Sequence, residues 1–492
     1  MIAILSLAVM LADSSQCEAL AKLTLPDTTV TSARWVEAGP MAAEGAADGA
    51  PRANTPPTVL PAHCRVAIVM KPSGDSNIAA EVWLPAEWNG KFQAVGNGGW
   101  AGTISVAAMA RAIQEGYATA STDTGHKGGD SAFAIGHPDK LINFGYRAIH
   151  EMTVQSKAIV NAFYKRAAKL SYWNGCSTGG RQALMEAQRY PADFDAILAG
   201  APANNHTRMG IARLSVSVPT ARDAVVAVPQ RKLAMVTRAV LKECDAADGV
   251  KDGFLNDPRA CKFDVASLQC TGADSDSCLT APQVATMKSA YASVKLPNGE
   301  LLFPGKELGS ETTWGMVSGT PDQLSVTAVQ IAHGDAAWDP KTFDLAKDLP
   351  LTMEKVGSAV NAVDPDLRAF KAHGGKLLLY HGWNDGLISP GNTVNYFESV
   401  NKTMGKQDDF VRLFMVPGMG HCQGGAGPDQ AHWMGALERW RESGTAPDRI
   451  EAARVAATRV EMTRPLCPYP QVAKYSGTGS TNDAQNFSCV TK

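Results

Sequence analysis

After the first twelve residues, no apolar run is long enough to cross a bilayer. Neither charge is in surplus: 46 Lys and Arg stand against 48 Asp and Glu, a formal net charge of −2. That balance argues against nucleic acid or an anionic membrane surface as the main partner. The C-x-x-C spacing of many zinc sites is missing, and so is any internal repeat. With aromatics at 7%, charged residues at 19% and apolar residues at 45%, the composition is that of an ordinary globular protein with ample core.

Cysteine is not scarce. Ten occur, at 17, 64, 176, 244, 261, 270, 278, 422, 467 and 489. An even number in locally paired spacings points to disulfides and export. The apolar stretch from Ile2 to Ala12 has the character of a secretion leader, expected through residue 16, although no Lys or Arg precedes it and no clean A-x-A site follows. A chain of 492 residues accommodates either several domains or one large domain with an insertion.

The densest signal is Gly175-Cys176-Ser177-Thr178-Gly179, a G-x-S-x-G nucleophile elbow. A chance glycine-rich turn is the competing explanation. Context weighs against it: Leu170–Trp173 reads as a short buried strand, and Gly180–Tyr190 has helical spacing and stops before Pro191. Further strands are expected at Arg65–Lys71, Ile78–Leu84, Phe92–Val95, Tyr117–Thr122 and Ala196–Ala199, with a long helix over Asn143–Lys165. Residues 13–60 are rich in alanine, proline and glycine, and Pro51–Pro61 reads as an irregular linker. From Asn204 to Asp364 the β/α rhythm lapses, which predicts an insertion. It returns at 376–380 and ends with a last core strand at 410–416.

A serine nucleophile needs a base, and the base an orienting carboxylate. In α/β-hydrolases these follow the serine in the order acid, then histidine, on loops after core strands. Asp385 follows the strand at 376–380 and His421 the strand at 410–416, in that order. His381 is the competing histidine, but it lies too close to its strand end and precedes the acid. Cys176 and Cys422 adjoin the predicted serine and histidine. If those two meet, their neighbours are close enough for a disulfide; two free buried cysteines are the alternative. Gly96-Asn97-Gly98-Gly99-Trp100, after an early strand, stands where this fold places an oxyanion-hole amide.

Within the insertion, Cys244-Asp245-Ala246-Ala247-Asp248-Gly249-Val250-Lys251-Asp252-Gly253-Phe254 groups three carboxylates in a turning loop, bracketed by Cys244 and Cys261. Hard oxygen ligands at that spacing suit structural Ca²⁺, with backbone carbonyls completing the shell. It is not the EF-hand pattern, and a solvated acidic turn is the bland alternative.

Together, Gly-Cys-Ser-Thr-Gly-Gly-Arg at 175–181, Thr122-Asp123-Thr124-Gly125-His126, the loop at 244–253, Asp385-Gly386 and Gly420-His421-Cys422 resemble the tannase and feruloyl esterase family. The resemblance covers nearly the whole chain after the leader. It implies a secreted or periplasmic α/β-hydrolase, with a catalytic core over 17–203 and 365–492 and an inserted lid over 204–364. By that resemblance Ser177 is the nucleophile, His421 the base and Asp385 its orienter. The amides of Thr178 and Gly99 (or Gly98) form the oxyanion hole. Asp245, Asp248 and Asp252, with the carbonyls of Val250 and Phe254, hold calcium. The implied disulfides are Cys17–Cys64, Cys176–Cys422, Cys244–Cys261, Cys270–Cys278 and Cys467–Cys489.

No organic cofactor is expected. The substrate implied is a small aromatic-acid ester, a ferulate first and a gallate second. The family branch that hydrolyses mono(2-hydroxyethyl) terephthalate is disfavoured, because its free carboxylate suits an arginine in the lid and none lies between Arg259 and Arg368. Trp314 and Ile388, with Phe303 and Trp338, are candidates for an apolar wall. A catalytically idle binding protein and a serine peptidase are the readings from other classes; the filled triad counts against the first.

Overall fold

The computed structural model describes residues 14–41 and 58–491. Nine strands form its central sheet: β1 (Thr28–Val36), β2 (His63–Met70), β3 (Ile78–Pro85), β4 (Lys91–Val95), β5 (Ala118–Thr122), β6 (Leu170–Cys176), β7 (Ala196–Gly200), β8 (Lys376–Gly382) and β9 (Val411–Val416). Their spatial order is β1-β2-β3-β5-β4-β6-β7-β8-β9. The first four in that order pair antiparallel, and from β5 across to β9 every pairing is parallel. Sequence explains the division. β5 and β7 are buried at every position, as parallel strands covered on both faces must be, whereas β2 alternates buried with half-buried residues.

Side chains alternate between two cores. On β8, Leu377 and Leu379 join one cluster, and Leu378 and Tyr380 join the other. Helices α1 (Val106–Gln114), α2 (Ala148–Tyr164), α3 (Thr178–Arg189), α4 (His206–Arg222), α5 (Gly391–Met404) and α6 (Trp433–Ser443) accompany the sheet. Ile159, Leu184 and Val400 from α2, α3 and α5 pack on the first side; Ala112 and Leu437 from α1 and α6 pack on the second. This is an α/β-hydrolase architecture, with helices on both faces of a mostly parallel sheet.

Two stretches differ from expectation. Residues 13–60, to which the sequence assigned no element, supply a short helix at Ser14–Ala19 and the nine-residue edge strand β1. None of its nine residues is fully buried, and its Thr-Thr-Val-Thr-Ser start lacks the apolar–polar alternation that advertises a strand. The predicted leader lies outside the described residues as far as residue 13, and its remainder falls in that helix. Past β9, where the core was expected to end, an antiparallel sheet (Gln430–Ala431, Ile450–Ala456, Arg459–Leu466) and a ribbon (Val472–Tyr475, Phe487–Val490) follow.

Between β7 and β8 the chain contributes no strand to the sheet. Residues 204–364 form α4, helices at Gln230–Cys244, Ala281–Tyr291 and Gln323–His333, and a two-stranded ribbon, around one apolar cluster of their own and another shared with Ala203 and Ile388.

Candidate active site

The parallel strands β6, β8 and β9 end on one edge of the sheet, where α/β folds place their sites. Ser177 stands between β6 and α3 with φ 63° and ψ −119°, a conformation a non-glycine residue holds only under strain. The turn is this tight because its flanks are bare. A Cβ on Gly175 would lie 2.5 Å from the Gly179 carbonyl oxygen, and one on Gly180 2.4 Å from that of Gly200. Thr178 opens the twelve-residue helix α3, so its amide lies among those without an intrahelical partner.

Asp385 is fully buried and accepts four hydrogen bonds. Oδ1 takes the amides of Leu387 (2.8 Å) and Ile388 (2.9 Å); Oδ2 takes His421 Nδ1 (2.7 Å) and His381 Nε2 (3.0 Å). Burial alone would raise its pKa, but the two histidines hold the carboxyl well below the usual carboxylate range. The sequence placed His421 beside this acid and discounted His381; the structure gives Asp385 both. Cys176 and Cys422 are disulfide-bonded with Cα atoms 6.0 Å apart, which brings together the loops carrying Ser177 and His421. Cys422, like Ser177, has φ 63°.

The glycine-rich loop after β4 is braced on all sides. Gln182 of α3 and Asn97 exchange two hydrogen bonds, of 3.1 and 3.0 Å, and Asn97 Nδ2 also reaches the Thr103 and Thr122 carbonyls. His126 Nε2 donates to the Trp100 carbonyl at 2.8 Å, so the Thr-Asp-Thr-Gly-His motif buttresses this loop. Thr178 Oγ1 donates to the Gly99 carbonyl at 2.7 Å, which sets the two predicted oxyanion residues side by side.

A pocket at this point is lined by Ser177, Thr178, Gly99, Met209, Leu324 and Ile388, among others. Ile388 is therefore where a wall residue was expected. Trp314 is not: it is fully buried, bonded through Nε1 to Ser310 and packed on Tyr291 in a separate core. Two lining residues went unnoticed in the sequence. His206 is buried with Nδ1 unpartnered, its pKa pushed down to about 3 by desolvation and the nearby Arg181. Arg213, 7% exposed, bonds Asp322 at 2.9 Å and keeps Nε unpartnered. Both belong to α4, which follows β7 directly. Arg213 lies before the arginine-free stretch between Arg259 and Arg368.

In the acidic loop, Asp245 accepts the amides of Asp252 and Gly253, and Asp248 that of Val250. Asp252 Oδ2 pairs with Arg464 of the C-terminal hairpin, while Oδ1 is buried without a partner. Burial, opposed by Arg464 and reinforced by Asp248 and Asp245, pushes Asp252 up to about 6. An orphaned, desolvated carboxylate oxygen among other carboxylates fits a cation with hard oxygen ligands. The three carboxylates are not drawn within 4.8 Å of one another; among the described residues that spacing groups Cys270, Asp274 and Cys278, where both sulfurs are tied up in a disulfide.

All ten cysteines are paired: besides Cys176–Cys422 and Cys270–Cys278, Cys17 joins Cys64, Cys244 joins Cys261, and Cys467 joins Cys489. No helix among the described residues is long and apolar enough to cross a membrane.

A family model described as tannase and feruloyl esterase matches residues 64–490. An uncharacterized esterase of Xanthomonas campestris pv. campestris is 38% identical over 97% of this chain and 91% of its own. The Aspergillus terreus protein named Probable feruloyl esterase B-2 is 33% identical over 97% and 95%. Among solved structures, feruloyl esterase B from Aspergillus oryzae superposes with a TM-score of 0.89 at 31% identity, over 97% of this chain and all of that one. With a family model and relatives that match nearly the whole chain, and a fold that superposes on a solved feruloyl esterase, the chain belongs to the tannase and feruloyl esterase family.

Proposed function

We infer that Ser177, His421 and Asp385 hydrolyse esters of aromatic acids. The protein is a serine carboxylic ester hydrolase of the feruloyl esterase type. The observation that carries the assignment of residues is the 2.7 Å hydrogen bond from His421 to Asp385, fastened to the Ser177 elbow by Cys176–Cys422. With Nδ1 donating to Asp385, His421 has Nε2 left to take the Ser177 proton as Oγ attacks the ester carbonyl. The amides of Thr178 and Gly99 (Gly98 is the other candidate) receive the oxyanion. The imidazolium then protonates the departing alcohol, and water, deprotonated by the same imidazole, releases the acid.

A neutral phenolic acid is the favoured acyl group, ferulate before gallate. The apolar wall of Met209, Leu324 and Ile388 supports it, as does the uncharged state of His206 in the same lining. One observation favours a second reading. Arg213 lines the same pocket with an unused Nε, and a half-ester such as mono(2-hydroxyethyl) terephthalate would offer it a carboxylate.

Residues 204–364 act as a lid, a role supported by the lining they supply through Met209, Arg213 and Leu324. Asp245, Asp248 and Asp252, with the Val250 and Phe254 carbonyls, hold a structural calcium that offsets their mutual repulsion and takes no part in the chemistry. Five disulfides support a secreted or periplasmic site of action.

A hydrolysis panel tests the reading: methyl ferulate, methyl gallate, mono(2-hydroxyethyl) terephthalate and p-nitrophenyl acetate, with Ser177→Ala and Arg213→Met alongside. Turnover of an aromatic ester that vanishes in Ser177→Ala is expected, and activity surviving that change would remove Ser177 from the mechanism. A loss in Arg213→Met confined to the terephthalate half-ester would select the second reading. Silence from folded protein on all four would favour an idle binder.

A further inference from the structure

We propose that His381 is a positioning residue of the hydrolytic reaction: it shares one carboxylate oxygen of Asp385 with His421 and fixes that acid in the orientation the base requires. The proposal rests on the roles given above to Asp385 and His421.

The arrangement is closed on every side. His381 and Asp385 are both fully buried. His381 Nε2 lies 3.0 Å from Asp385 Oδ2 and 3.2 Å from the Ile388 carbonyl oxygen. A carbonyl only accepts, so Nε2 carries the hydrogen and donates to both. On the far side of the ring, Nδ1 lies 2.7 Å from Thr393 Oγ1 on α5. A neutral imidazole receives the threonine hydrogen there, which locks the ring plane and the tautomer together. His381 is the penultimate residue of β8, a parallel strand hydrogen-bonded to β7 on one side and β9 on the other, so the sheet fixes its backbone.

Asp385 Oδ2 thus receives two imidazole N–H groups, and only one belongs to the base. His381 does two things through Asp385. It prevents the carboxylate from rotating away from His421, and it withdraws negative charge from the oxygen that His421 faces. The other charged groups bearing on Asp385 are Arg213 of α4 and Lys306, whose Nζ donates to the Leu387 carbonyl at 3.1 Å. Neither donates to Oδ2. Without His381, more charge rests on Oδ2, the His421 imidazolium is stabilised, and the free base is available only at higher pH.

The test is His381→Leu against His381→Gln, whose side-chain amide keeps a donor near the position of Nε2. In His381→Leu, kcat should fall about 10- to 100-fold, the scale of losing a partner that orients a reactive group, with KM little changed. The acid limb of its pH–rate profile should move to higher pH. His381→Gln should restore most of kcat and the wild-type limb. Equal losses in both variants, or a Leu variant with wild-type kcat and limb, would overturn the proposal. Should His381→Leu fail to fold, Thr393→Val decides: a smaller fall in kcat and the same direction of shift support it, and an unchanged profile rejects it. Asp385→Asn runs beside them. If that variant stays active, the triad assignment itself has failed; if it is dead while His381→Leu behaves as wild type, only the present proposal falls.

Discussion

Asp385 and Asp252 both sit one residue before a glycine in a turning loop, and both are withdrawn from water. Around Asp385 the chain supplies four donors to two oxygens. Around Asp252 it supplies Arg464 to one oxygen and nothing to the other, with two more carboxylates nearby. The first carboxyl is held below its ordinary pKa, the second above it. Desolvation is the largest single influence on each, so the difference lies in the partners. A carboxylate that the protein satisfies itself is fit to organise a reaction. One left short of positive charge would be stabilised by a bound cation.

The sharpest test of this contrast is Asp385→Asn, which replaces an acceptor with a group that cannot hold the His421 tautomer. A loss of about 10⁴-fold in kcat is expected, on the scale seen when the acid of a serine triad becomes an amide. A loss below tenfold would place the working acid elsewhere. Next comes the clamp: Cys176→Ser with Cys422→Ser should lower kcat about 100-fold, the scale of an ångström-sized displacement between reacting groups. Mass spectrometry finding both wild-type thiols free would refute the link itself.

The smallest effect concerns stability. Chelation should lower the thermal midpoint by several degrees, because an ion bound only to the folded chain stabilises it. An unchanged midpoint with no calcium by elemental analysis would defeat the metal assignment. The pH dependence carries the sign. With a folded pKa near 6 against about 4 unfolded, Asp252 binds more protons folded than unfolded between those values. Stability in chelator should therefore fall as pH rises from about 4 to about 6, and added calcium should abolish that slope. Asp385 behaves oppositely: its contribution is complete above the ordinary carboxylate range and is lost only in stronger acid.

The proposed triad was legible because its sequence signals are local. Ser177, Asp385 and His421 each follow a strand on a turn whose glycines announce themselves, and their order along the chain is characteristic of the fold. What was missed depends on meetings the order of residues does not encode. Arg464 reaches Asp252 across 212 positions. His381 looked like a failed base because it precedes the acid, and its hydrogen bond to Asp385 depends on how the β8 end turns. β1 was hidden because an edge strand need not alternate, and Trp314 looked like a wall residue because a large aromatic reads the same in a core as in a cleft.

The bond between Cys176 and Cys422 spans 246 residues and so makes a covalent ring of everything from β6 to the loop beyond β9. On a chain-entropy estimate, closing so long a loop removes about 5 kcal/mol of disorder from the unfolded state. The ring also changes what a cut would do. A protease that nicks the chain anywhere between the two cysteines opens the ring without dividing the molecule. Ser177 and His421 then stay tethered on two fragments joined by the disulfide, which part only once it is reduced.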